Sequence, residues 1–228
     1  AAPSHALGKV IEANRLQHGP AYGQATDADG NGESDWPTYR HDNLRSGFSK
    51  IHVGDKLVEK WATKLDGKLS AVTLAENKLF VARVDAHEVV ALHAETGKEL
   101  WRFTTGGRVD SPPSIHDGRA YFGSADGWVY CLRASDGALV WRFRAAPEDR
   151  RLMAYEQLES VWPVHGSVLI RENQIYFVAG RSNFLDGGMR WFALDALTGK
   201  KNIEVVLDDK EPGEEKSLQD RIQILQMP

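Results

Sequence analysis

Between residues 109 and 144 the chain alternates short apolar stretches with turn-forming pairs. Residues 109–115, 119–124, 128–134 and 138–144 are rich in β-branched and aromatic side chains, and Asp117-Gly118, Asp126-Gly127 and Asp136-Gly137 separate them. Stretches this short, with no apolar stripe at a spacing of about 3.6, predict strands rather than helices. Asp-Gly supplies the positive φ that tight two-residue hairpins require, so the unit reads as four antiparallel strands joined by three hairpins. The preceding unit reads the same way over 69–74, 78–84, 87–94 and 98–103, and the following one over 161–170, 174–179, 189–195 and 200–207. Residues 57–63, containing Trp61, read as the last strand of a still earlier unit.

The units also repeat in detail. Trp61, Trp101 and Trp141 are spaced by 40 and 40 residues. Ala91, Thr96, Gly97 and Trp101 align with Cys131, Asp136, Gly137 and Trp141, and Arg-Phe follows both tryptophans. A third copy keeps Ala193, Thr198 and Gly199 but has Ile203 where tryptophan is expected. A period of about 40 with four strands per period belongs to β-propellers, in which each four-stranded sheet is one blade. The expected fold is therefore all-β, with about three and a half blades of a propeller in this chain.

Composition narrows the functional classes. The chain has 228 residues, with 28 Lys and Arg against 32 Asp and Glu, a net charge of -4. That balance leaves no electrostatic footprint for nucleic acid or an anionic membrane. The single cysteine, Cys131, excludes an intrachain disulfide and a zinc site built from several thiolates. No apolar run approaches the roughly 18 residues of a spanning helix, so membrane insertion is not expected, and residues 1–30 lack a signal-peptide pattern. The start at Ala1 and the stop at Pro228 raise the expectation of a processed chain or a piece of a longer one.

The stretch Ala91, Thr96, Gly97 and Trp101, with His93 in a position that prefers Asp, resembles the signature of pyrroloquinoline-quinone-like (quinoprotein-type) β-propeller repeats. Asp195 restores that Asp in the third copy, and the opening Asp35-Trp36-Pro37-Thr38-Tyr39-Arg40 resembles the entry segment of large exported bacterial members. The resemblance covers roughly residues 35–207. It implies that Trp61, Trp101 and Trp141 are structural, each docking on the glycine of a neighbouring blade, with Gly97, Gly137 and Gly199 as the turn partners. It implies rings of seven or eight blades, so that this chain is expected to be a segment completed by further blades or by a protein partner. It divides the chain into an irregular N-terminal segment (1–34), the blades (35–207), and a charged linker leading to a further element (208–228). It also implies an exported, periplasmic setting and two activities: a scaffold for binding or assembly without bound quinone, or a quinone- and calcium-dependent alcohol or sugar dehydrogenase. A carbohydrate-binding module is a third expectation.

Length irregularities locate a candidate site. Gly137 to Gly199 spans 62 residues where Gly97 to Gly137 spans 40. Of the 22 extra residues, 15 fall within 145–160 and six within 181–187, both on the face that carries the connections between blades. Connecting loops on a rigid scaffold are where binding residues concentrate. The expected border of this surface is Glu156, Glu159, Trp162 and His165 with Arg181, Asn183 and Asp186, joined by Arg108, Asp110 and Ser111 from the preceding blade. Under the enzyme reading, Trp162 would stack under the quinone PQQ, and Glu159 and Asp186 supply the carboxylates. A second candidate is calcium at Asp27, Asp29, Asn31, Glu33 and Asp35, whose alternating oxygen ligands resemble a calcium loop. Thr38 stands there in place of the bidentate Glu.

Overall fold

The computed structural model describes residues 10–24, 32 and 34–209. Asp27, Asp29, Asn31 and Glu33 of the expected calcium loop, and all but the first two residues of the expected charged linker, lie outside the described residues. A strand β1 (Leu16–His18) precedes the first sheet, made of β2 (Leu69–Ala75), β3 (Lys78–Arg83), β4 (Glu88–His93) and β5 (Glu99–Thr104). The second sheet contains β6 (Ser114–His116), β7 (Arg119–Gly123), β8 (Trp128–Arg133) and β9 (Leu139–Arg144). A separate hairpin, β10 (Arg151–Ala154) and β11 (Gln157–Ser160), leads to the third sheet of β12 (Leu169–Arg171), β13 (Gln174–Ala179), β14 (Met189–Asp195) and β15 (Lys201–Leu207). All pairings are antiparallel between chain neighbours, except that β1 adds to the outer edge of β9 and makes the second sheet five-stranded.

Each four-strand unit appears where the alternation predicts it, with three physical corrections. Two of the three innermost strands are shorter than expected. Residues 109–115 yield only β6, because Pro112 and Pro113 cannot donate to a ladder, and residues 161–170 yield only β12, after Pro163 and a positive φ at Gly166. Of the three Asp-Gly pairs, only Asp117-Gly118 (φ +47° and +68°) makes a two-residue hairpin. Glu76-Asn77 and Glu172-Asn173 do the same job in the other sheets with φ between +53° and +57°. At Asp126-Gly127 and Asp136-Gly137 only the glycine has positive φ and the loops are longer. Finally, residues 57–63 form no strand, and no sheet among the described residues takes them as an edge.

Contacts between the sheets follow the tryptophan repeat. Indole N–H groups of Trp61, Trp101 and Trp141 donate to the carbonyls of Ala94, Ala134 and Ala196 at 2.9, 3.0 and 3.2 Å. Each ring lies so close to the next signature's glycine that a Cβ there would sit 2.3 Å from Trp61 at Gly97, 2.6 Å from Trp101 at Gly137 and 2.7 Å from Trp141 at Gly199. A ring this large buries apolar area that no single thin sheet can provide for itself. Phe80, Trp101, Phe122 and Tyr130 fill the space between sheets one and two, and Trp141, Phe143, Phe177 and Phe192 that between two and three.

Two N-terminal stretches brace this stack. Within the segment expected to be irregular, β1 and Arg15 seal the second and third sheets: Arg15 donates to the carbonyls of Arg144 and Ala145 at 2.8 and 3.0 Å and to Glu204 at 2.8 Å. Its guanidinium lies over Phe143 and Phe192. Residues 36–45 run along the innermost strands. Trp36 bridges Leu74, the Pro37 carbonyl accepts from Ile115 N–H at 2.7 Å, and the Thr38 and Ser114 hydroxyls are 2.9 Å apart. Ser114 in turn donates to the Val168 carbonyl, and Thr73 to that of Pro113, so the three inner edges are stitched side by side.

Candidate functional site

The first insertion folds because residues 151–160 alternate and Tyr155-Glu156, both at positive φ, make a tight turn. Residues opposite one another in the ladder share a face. Leu152 with Glu159, and Ala154 with Gln157, point toward the sheets, whereas Met153 with Leu158 point away and are 69% and 50% exposed. The inward face is anchored on the first and second sheets. Gln157 Oε1 lies 2.6 Å from a ring nitrogen of His87, and the Ser160 N–H donates to the Ala125 carbonyl.

At the centre, Arg108 Nε donates to Glu159 Oε1 at 2.5 Å, with both side chains buried. Arg108 Nη1 reaches Asp110 Oδ1 at 3.2 Å, and Asp110 Oδ2 lies 2.7 Å from His165 Nδ1. The Tyr155 ring covers the guanidinium at 4.3 Å. Burial works against the Arg108 charge, but the bond to Glu159 and the charge of Asp110 outweigh it and hold its pKa above the ordinary value. The hydrogen bond with His165 holds the Asp110 carboxyl below its ordinary range despite burial, with help from Arg108. The chain thus joins Glu159, Arg108, Asp110 and His165 into one charged row.

A second group lies where the two insertions meet. Arg150 pairs with Asp186, Arg181 reaches the same carboxylate at 3.2 Å, and the Arg150 guanidinium lies 5.1 Å from the centre of the Trp162 ring. Trp162 is only 3% exposed. Trp162 Nε1 and Glu159 Oε2 are buried and have no hydrogen-bond partner among the described residues. Glu156 and Asn183 stand exposed, and Ser111 is half-buried beside Asp110. Glu156 lines a cleft of about 580 Å³ with Lys68, Asp85, Arg108, Tyr155 and Gln157. Of the expected calcium ligands only Asp35 is described, and its carboxylate accepts from the backbone N–H groups of Gly32 and Glu76. Among the described residues no group of three His, Cys, Asp or Glu side chains is arranged to hold a metal. No helix among them is long and apolar enough to cross a membrane.

Sequence reasoning named the row and the meeting point of the loops but missed Arg150, Tyr155, Gln157 and His87. Arg150 lies inside the flagged insertion, so its type and place were readable. The pairing with Asp186, 36 residues away, was not.

The chain matches the family model described as outer membrane protein assembly factor BamB over residues 31–223. It is 30% identical over 129 residues to outer membrane protein assembly factor BamB of Burkholderia pseudomallei, covering 48% of this chain and 34% of that protein. It is 27% identical over 197 residues to the dehydrogenase subunit of alcohol dehydrogenase (quinone) of Gluconobacter oxydans, covering 77% and 25%. The solved quinohemoprotein alcohol dehydrogenase ADHIIG of Pseudomonas putida superposes with a TM-score of 0.65 at 18% identity, covering 82% of this chain and 29% of that one. The chain therefore spans about a quarter to a third of the relatives' lengths.

Proposed function

Because the chain belongs to the BamB-type family of PQQ-like β-propeller repeats, we propose that it is a segment of a longer propeller acting as a binding or assembly scaffold, exported from the cytoplasm and working without bound quinone. The three contacts between Trp and Gly are read as part of that ring's girdle, the further blades supplying the rest.

One observation carries the scaffold reading. The side chains that quinone chemistry would ask for are already spent on holding the loops. A flat quinone needs an open ring to stack on, and Trp162 is buried beneath Arg150. A general base needs a free carboxylate, and Glu159 is fixed on Arg108 while Asp186 is shared by two arginines. These residues do not fit a quinone in this arrangement. The outward side of the same loops instead presents Met153, Tyr155, Leu158, Phe184 and Leu185, each about half exposed or more, the kind of apolar surface that marks protein contact.

The test is to replace Met153 and Leu158 with Asp in the intact protein and measure capture of its partner from an envelope extract by quantitative pull-down. Capture should fall at least tenfold with folding unchanged, and undiminished capture would reject this face as the contact. The dehydrogenase reading is favoured by the longer alignment to the Gluconobacter subunit. Reconstituting the intact protein with PQQ and Ca²⁺ separates the two. Dye reduction with alcohols or sugars would overturn the scaffold, and its absence would remove the dehydrogenase.

A further inference from the structure

Where the inner strands begin, a cavity of about 590 Å³ opens between residues 39–45 and the loops before β6 and β12, adjoining the charged row through Asp110. Arg40 and Arg45 both line it, with Ser111 and Ser167 opposite. Most described arginines sit within ion-pair distance of a carboxylate, but neither of these two does. Arg45 spends Nη1 on two neutral oxygens, Thr38 Oγ1 at 2.8 Å and the Tyr39 carbonyl at 2.7 Å, which fix the guanidinium beside the Tyr39 ring, and Asp42 acts on its charge only through space. It is half-buried, and burial pulls its pKa below the ordinary value. Asp42, the nearest acid in effect, is occupied by the Ser46 amide and hydroxyl. Asp110, on the cavity wall, is held by Arg108 and His165.

A partly desolvated guanidinium with no carboxylate in direct contact is unfavourable, and a fixed fork beside a second cation and two hydroxyl donors recognises an oxyanion geometrically as well as electrostatically. We propose that Arg40 and Arg45, with Ser111 and Ser167, form a binding site for a small oxyanion, a free carboxylate or phosphate, at the insertion-face end of the inner strands. The site is independent of the scaffold contact, since neither Met153 nor Leu158 lines the cavity.

Calorimetric titration of the protein in low-salt, anion-poor buffer tests it, with inorganic phosphate in one arm and succinate in the other. Saturable binding at one site in at least one arm is expected, and the tighter arm identifies the source. Arg40→Gln removes an exposed side chain that holds nothing else in place, and Arg45→Gln removes the fixed fork. Each should weaken binding about tenfold or more, while Arg171→Gln, at the far end of the inner strands, should leave it unchanged. No saturable binding of either anion to the unaltered protein, or an affinity in Arg40→Gln and Arg45→Gln unchanged from that of the unaltered protein, overturns the proposal.

Discussion

The two seams between blades use the same docking device and end up differently sealed. At the seam between the first and second blades, Trp101 meets Gly137 and remains 8% exposed; between the second and third, Trp141 meets Gly199 and is fully buried. The repeat cannot explain this, because the motif is the same on both sides. The difference comes from outside it: β1 covers the edge of β9, Leu16 comes to the same glycine as Trp141, and the Arg15 guanidinium lies over both Phe143 and Phe192. A repeat sets how blades dock, and a non-repeated strap sets how firmly.

The strongest challenge to that comparison is deletion of each ring. Trp141→Ala should cost about 3–5 kcal/mol, the range for emptying a buried aromatic site, and Trp101→Ala visibly less, because water already reaches its seam. Chemical denaturation followed by intrinsic fluorescence reads both. Equal losses would mean that the strap adds nothing to the second seam.

The glycines come next. At Gly137 (φ +74°) and Gly199 (φ +72°) an alanine would be strained in the backbone by about 1–3 kcal/mol, and its methyl would also collide with the docked indole. At Gly199 it meets Leu16 as well, 2.8 Å away. Gly199→Ala should therefore speed amide exchange in β1, and Gly137→Ala should leave β1 protected.

The strap itself gives a smaller and pH-dependent effect. Arg15→Met keeps the packing on Phe143 and Phe192 but removes charged hydrogen bonds to Glu204 and two carbonyls, for a loss of about 2 kcal/mol. Burial alone would raise the Glu204 carboxyl, yet Lys201, Arg15 and Arg190 bring it from 4.5 down to about 2. A carboxyl lowered by folding contributes stability that is complete above its unfolded pKa and is withdrawn as pH falls toward the folded value. The advantage of the unaltered protein over Glu204→Gln should thus vanish between pH 4.5 and 2, in thermal melts across that window.

What was legible in the sequence follows the same division. The period of 40, the alternating strands and Trp101 with Gly137 are local or regularly spaced patterns, and these carried the fold. The strap was not legible, because Arg15 meets Arg144 at a separation of 129 residues and Glu204 at 189, and no local pattern announces such a partner. The candidate face stands between. Unequal spacing exposed the two insertions and hence Glu159, Trp162 and Asp186, but which arginine would cover Trp162 depended on how the two loops pack. Turn chemistry was legible only in part: Asp126-Gly127 and Asp136-Gly137 do not make the two-residue hairpins expected of them, whereas Glu76-Asn77 and Glu172-Asn173 do take the left-handed region, since Asn tolerates it and a tight hairpin demands it.

The smallest predicted effect asks what the lost tryptophan means. Ile203 pairs with Ala193, as Trp101 pairs with Ala91 and Trp141 with Cys131, so it occupies the docking position of the third blade. It is 44% exposed because no following glycine signature lies among the described residues to receive it. Ile203→Trp should accordingly change the stability of this chain by no more than about 0.5 kcal/mol, the range of surface substitutions without a partner. In the longer propeller proposed above, the outcome depends on the next blade. If that blade offers a glycine at the matching turn, the same substitution should raise the melting temperature. If it offers a side chain there, the indole should clash and lower it. Comparing the substitution in the two lengths of chain therefore reads out whether the third seam was built on the same device as the first two.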